Sequence, residues 1–158
     1  LKISQLQFFT VMAWITLTKT DLLSALNSAE ATAYNVAVAG GIDPADEIIL
    51  TAVQEARGHI EDHPGNRLAA GDTIPGRIKH HVLAIIRFRI LTRLDQEVSD
   101  PRTKEYSDAR RFLERVSEGK VSIEKPEGEI DTSGTSGSTM EVVDYGPDTL
   151  DREGLNLL

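Results

Sequence analysis

No cysteine occurs among the 158 residues, which excludes disulfides, thiolate metal sites and thiol nucleophiles while permitting a reducing compartment. Long apolar runs are missing as well. The best candidate for a membrane span, residues 82–94, is broken by Arg87, Arg89 and Arg93, and it falls short of the roughly 20 apolar residues that a spanning helix needs. No membrane partner is expected.

Signatures of catalysis are equally scarce. There is no Gly-x-Ser-x-Gly nucleophile elbow, and Gly40 and Gly41 are not followed by the Gly-Lys-Ser/Thr of a phosphate cradle. Asp43, Asp46 and Glu47 lack the alternating aspartates and closing glutamate of a calcium loop. They read instead as the cap and first-turn acids of a helix. His59 and His63 are spaced to share a helix face, but zinc-protease chemistry needs glutamate directly after the first histidine, and Ile60 stands there. His80 and His81 diverge around a helix with no third ligand nearby. No catalytic residue, metal or cofactor is assigned, and no enzymatic activity is expected.

Helix signals fill residues 18–119. Thr18 and Asp21 form a capping box before Leu22, Leu23 and Leu26. A second short helix is expected from Ser28, rich in alanine through Val38 and ended by Gly40 and Gly41. A third starts with Asp43 as cap and Pro44 at the first helical position. Its residues Ile48, Ile49, Ala52, Val53, Ala56 and Ile60 recur at three-and-four spacing, before Pro64 and Gly65 stop it. Residues 64–75 read as a loop whose Leu68 and Ile74 tuck back on the core.

The fourth helix is expected from about Pro75 to Glu97, with Ile78, Val82, Ile85, Ile86, Ile90 and Leu94 inward. At about 1.5 Å per residue it would be about 33 Å long, the longest rod in the fold. Asp100 and Pro101 repeat the cap-plus-proline device for a fifth helix carrying Tyr106, Ala109, Phe112, Leu113 and Val116 inward, closed by Gly119. The fold class is therefore all-α: a bundle of about five helices with a long central helix and an extended C-terminal tail.

Three regions follow: residues 1–11 as an upstream leader or arm, residues 12–119 as the helical domain, and residues 120–158 as the tail. In the tail, three basic residues (Lys120, Lys125, Arg152) meet nine acidic ones, so much of the net charge of -8 sits there. Residues 132–139 are a Gly/Ser/Thr linker with too little apolar content to order themselves alone. Beyond it, Met140, Val142, Val143 and Tyr145 have strand propensity, and Leu155, Leu157 and Leu158 are apolar. Such a segment waits for a partner, to which it can add a β-strand.

The opposite charge bias lies in residues 75–94, where Arg77, Lys79, Arg87, Arg89 and Arg93 meet no carboxylate. Phosphate contact, with a DNA-binding regulator as the functional alternative, is one reading. At 100° per residue, however, the five cations scatter over more than half the helix circumference, and a pI near 5.0 disfavours an independent nucleic-acid binder. Contact with a neighbouring element or subunit is the preferred reading.

One order of signals is distinctive. It comprises Met12, Ala13, Trp14, Ile15, Thr16 and Leu17, then Asp21, Leu22 and Leu23, then Ala56 and Ile60 in an acid-capped helix. Arg67, Ile74 and Pro75 follow in a loop, then Ile86, Arg87, Phe88, Arg89, Ile90 and Leu91, then Tyr106, Ala109, Phe112 and Leu113, and finally Gly119, Lys120 and Val121. This order resembles the small helical proteins encoded in the head gene cluster of Mu-like phages and prophages, over about residues 12–123. The resemblance implies a head-tail connector or head-completion adaptor of the virion neck, assembled in the host cytoplasm. It implies a homo-oligomeric ring of twelve copies, binding the portal protein on one side and a stopper or other neck or tail protein on the other, with non-specific contact to packaged DNA. Two departures stand out: the extension beyond Ile123 exceeds the family's expected length, and His59 and His63 replace an aromatic pattern before Pro64.

Overall fold

The computed structural model describes residues 13–126. In chain order these form β1 (Trp14–Thr16), α1 (Lys19–Ala25), α2 (Ser28–Ala39), α3 (Ala45–Glu61), β2 (Thr73–Pro75), a 3-10 turn (Gly76–Ile78), α4 (Lys79–Arg93) and α5 (Asp100–Ser117). The fold is a small helical bundle carrying a two-stranded ribbon.

Local chemistry explains most of the boundaries. The Thr18 side chain accepts from the Asp21 N-H while Asp21 accepts from the Thr18 N-H, so the expected capping box starts α1. Asn27 and Glu30 build a second, unforeseen capping box at the start of α2. The expected cap of α3 shifts by one residue: Pro44 occupies the cap position, and the Asp43 carboxylate accepts from the Ala45 N-H at 3.1 Å. Ser99, not Asp100, flanks α5, with Pro101 in its first turn. Three helices end alike. Gly41, Asp95 and Gly119 adopt positive φ, and each is followed by a residue whose N-H donates five residues back, closing the last turn.

That motif corrects the length of the fourth helix. Asp95 at φ 53 and the Gln96 N-H donating to the Leu91 carbonyl stop α4 at Arg93, short of Glu97. At its other end Pro75 belongs to β2, and Gly76–Ile78 form a 3-10 turn. The helix is therefore about 22 Å long and central without being longest; α5, at 18 residues, exceeds its 15.

The core sits where α3, α4 and α5 pack together, with α1 against α4. The stripe Ile78, Val82, Ile85, Ile86 and Ile90 is fully buried, as are Ala52, Ala56 and Ile60 of α3 and Ala109, Leu113 and Val116 of α5. Two ring stacks fasten α4 to α5: His81 on Phe112 at 3.9 Å and Phe88 on Tyr106 at 4.1 Å. Later residues of α4 meet earlier residues of α5, so the two helices run antiparallel. Helix α2 stands outside this packing and buries chiefly Tyr34.

The ribbon was not foreseen. β1 and β2 pair antiparallel with Trp14 opposite Pro75, Ile15 opposite Ile74 and Thr16 opposite Thr73, which holds Ile74 fully buried inside the expected loop. Three residues per strand give no readable alternation, and proline suits the end of such a strand. The chain also stays on the body beyond Gly119. Ile123 is buried in the core, the Arg77 guanidinium donates to the Ser122 carbonyl at 3.1 Å, and the Trp14 indole N-H donates to the Glu124 carbonyl at 3.2 Å. Residues 122–124 therefore pack against the helical body.

Candidate functional site

The basic helix is the densest group of singled-out residues, and the structure gives most of its charges partners within the chain. Lys79 Nζ lies 2.5 Å from Asp21 Oδ1. This contact, with help from Thr18, lowers the Asp21 carboxyl below its usual range. Arg89 pairs with Glu55 of α3, and Arg77 bonds the Ser122 carbonyl. Arg93 alone of the five is exposed with neither an ion pair nor a side-chain hydrogen bond among the described residues.

Arg87 is the unexpected member. It is 7% exposed, the one buried charged residue in the described core. One guanidinium nitrogen donates to the Ala25 carbonyl at 2.8 Å, at the C-terminal end of α1, and another pairs with Glu105 of α5. A helix C-terminus presents unpaired carbonyls and partial negative charge, so a buried cation there meets both needs. Glu105 also accepts from Arg102 at 3.0 Å, and Arg102 reaches Glu30 of α2 at 2.8 and 3.1 Å. Burial pushes the Glu105 carboxyl up, but Arg102 and Arg87 outweigh it and hold it below the ordinary value. The chain Glu30, Arg102, Glu105, Arg87 thus links α2, α5, α4 and the end of α1. Arg102 and Glu30 went unnoticed in the sequence, although the Asn27-x-x-Glu30 capping signal was available.

A second hub joins the first three helices at Asp43. Its carboxylate accepts from Lys19 Nζ at 2.9 Å, from the Tyr34 hydroxyl at 2.7 Å and from the Ala45 N-H. Lys19, then Tyr34, depress Asp43 to about 2. Burial, reinforced by Asp43, pushes Tyr34 up to about 12.

His59, His63 and His81 are half-buried, whereas His80 is exposed. His63 Nδ1 accepts from the Gly65 N-H at 3.1 Å, and its ring lies against Gly119. Burial, then the neighbouring His80, lowers the pKa of His81. Among the described residues no three His, Asp or Glu side chains gather as a metal site.

An open groove of about 140 Å³ lies where β1 runs into α1 beside α3. Leu17, Ile49 and Val53 line it with Leu50, which is 43% exposed, and Lys19, Asp46 and Asp72 stand around them.

Residues 10–142 match the family described as Bacteriophage Mu, Gp36. The chain belongs to that family. No curated protein and no solved structure matches it. The chain is thus a Mu-like phage protein, and its localisation is phage-associated. The family match covers all the helices described above and continues past Ile123, through the linker, to Val142. This corrects one expected departure, since residues 124–142 of the extension lie within the family match. The expected binding residues Met140, Val142, Val143, Tyr145, Leu155, Leu157 and Leu158, and the expected arm of residues 1–11, lie outside the described residues.

Proposed function

We propose that this Mu Gp36 family member is a structural protein of the virion, a head-tail connector that forms a ring between the portal and the next neck or tail component. The observation that carries the reading is the family match over residues 10–142, which unites the helical body and the start of the apolar tail segment. The chemistry of the body supports it. Helix α2 exposes Val36 at 68%, and Ile42 just beyond it at 58%, while packing little against its own bundle, as suits a surface that meets a neighbouring copy. In this reading twelve copies match the portal, and the segment holding Met140, Val142, Val143 and Tyr145 adds a strand to the portal or to a neighbouring subunit.

No observation favours the DNA-binding alternative. Four of the five cations on the basic helix are engaged by Asp21, Ser122, Glu105 and Glu55, and exposed, unpaired cations are what phosphate binding uses. The reading involves no catalytic step.

Electron microscopy of lysates from a phage lacking this gene tests the proposal. Separate tails beside heads that have lost DNA are the expected result, whereas normal joined virions would overturn it. Deleting residues 140–158 is expected to leave the helical body folded, by circular dichroism, and to weaken binding to the portal.

A further inference from the structure

Helix α2 closes both of its own ends. At the start, the Asn27 side chain accepts from the Glu30 N-H at 2.9 Å, and the Glu30 carboxylate accepts from the Asn27 N-H at 2.8 Å. At the finish, the N-H groups of Gly41 and Ile42 donate to the carbonyls of Val38 and Ala37, both at 2.9 Å. The groups that a helix leaves open at its termini thus find partners in α2 and its flanking residues, and none of these bonds depends on the rest of the bundle. The connections on either side suit movement. Leu26 and Asn27 are extended, and at the other end Gly40 and Gly41 stand side by side. A Cβ on Gly41 would meet nothing within 4 Å, so the turn is not wedged, and glycine changes backbone conformation at little steric cost.

What fastens α2 to the body is concentrated on one face. Tyr34, at 4% exposure, is the single α2 residue in the buried core, and its hydroxyl donates to Asp43 at 2.7 Å, beyond the glycine pair. One turn earlier, Arg102 of α5 reaches both oxygens of Glu30, at 2.8 and 3.1 Å, and these side chains are only 18% and 10% exposed. Residues four apart lie on the same side of a helix, so both attachments face the bundle together. Glu30 is also the only charged residue of α2, which leaves the helix no other ion pair to hold it. A free helix of this length is marginal in water. Once its attachments let go, α2 therefore loses its internal bonds as well, while the apolar stripes of α3, α4 and α5 stay buried against one another.

We infer that α2 is a latched strap, which opens as a unit while α3, α4 and α5 remain folded, with Tyr34–Asp43 and Glu30–Arg102 as its two latches. Opening uncovers the seat of Tyr34 and leaves Arg102 to Glu105, the carboxylate that also pairs with the buried Arg87. The device belongs to a single copy of the chain and does not rest on the connector reading.

Hydrogen exchange with mass spectrometry on the full chain tests it, comparing the unchanged protein with Tyr34→Phe and Glu30→Gln. Phenylalanine keeps the ring in its seat without the hydroxyl, and glutamine keeps the capping box while giving up the charge. In the unchanged protein the amides of α2 are expected to exchange about a hundredfold faster than those of α4, yet about a hundredfold more slowly than an unstructured chain. Each variant is expected to speed exchange in α2 about tenfold, the effect of weakening one hydrogen bond to a charged group, and to leave α4 unaltered. Equal protection of α2 and α4 in the unchanged protein would overturn the inference, because α2 would then open only with the whole bundle. Exchange of α2 at the unstructured rate would overturn it too, since no latch would be holding. Variants that leave α2 as it was, or that speed α2 and α4 alike, would remove the two latches from their assigned role.

Discussion

Replacing Arg87 with alanine removes a side chain that is 7% exposed and bridges three helices. Three consequences add. The Ala25 carbonyl loses its donor at a part-buried site, which costs about 1–2 kcal/mol, the lower part of the range for an unsatisfied group. The aliphatic stem of the arginine leaves the α1–α4 contact, at about 0.8 kcal/mol per buried methylene, or about 2 kcal/mol for the stem. Glu105 loses one partner but keeps Arg102 at 3.0 Å, and its side chain is 40% exposed, so water recovers most of that term. A loss of about 3–4 kcal/mol is expected, a large part of the stability of a small domain. Arg87→Met retains the stem and is expected to lose about 1–2 kcal/mol, separating packing from hydrogen bonding. Arg93→Ala, on the same helix but exposed, is expected to change stability by less than about 0.5 kcal/mol. Urea unfolding followed by circular dichroism measures all three, with the slope checked for constancy. If Arg87→Ala and Arg93→Ala cost the same, the reasoning fails, and Arg87 is a surface charge like its neighbour.

Thr18→Ala removes one half of the α1 capping box and is expected to lower the thermal midpoint by the equivalent of about 1 kcal/mol. Gly119→Ala is expected to cost more. The position has φ 71, and a Cβ there would sit 2.3 Å from His63 Nε2, so steric overlap adds to about 1–2 kcal/mol of left-handed strain. Adding His63→Ala should recover the overlap but not the strain, as thermal unfolding of single and double variants will show. For His81, burial lowers the folded-state pKa, so the unfolded chain takes up a proton first as pH falls. Its stabilising contribution is complete above about pH 6.5 and is lost as pH drops through the folded-state value. Urea midpoints should therefore decline between about pH 7 and pH 5, and His81→Phe, which keeps a ring on Phe112, should flatten that decline.

The helices were legible because each carried two agreeing signals. For α3, the acids at its start and the stripe from Ile49 to Ile60 pointed to the same rod, and the structure buries that stripe. The end of α4 was obscured because Asp95, not glycine, takes the left-handed position, and an aspartate in a polar run signals no stop. The ribbon was hidden because its stability comes from Ile15 and Ile74 meeting across sixty residues of chain, a pairing that no local pattern records. The burial of Arg87 was hidden for a related reason. Spacing places it among four cations on one helix, but its burial depends on where α1 ends and where Glu105 of α5 arrives. The close approach of His63 to Gly119 joins two helix ends that the sequence sets far apart.

The hydrogen bond from the Trp14 indole to the Glu124 carbonyl brings the beginning and the end of the folded body to one pole. In any assembly with cyclic symmetry, rotation carries that pole onto a single circle, so Trp14 and Glu124 of every protomer lie at one height and one radius. Such an oligomer is polar by construction, and its two faces can recognise different partners without any difference between the subunits.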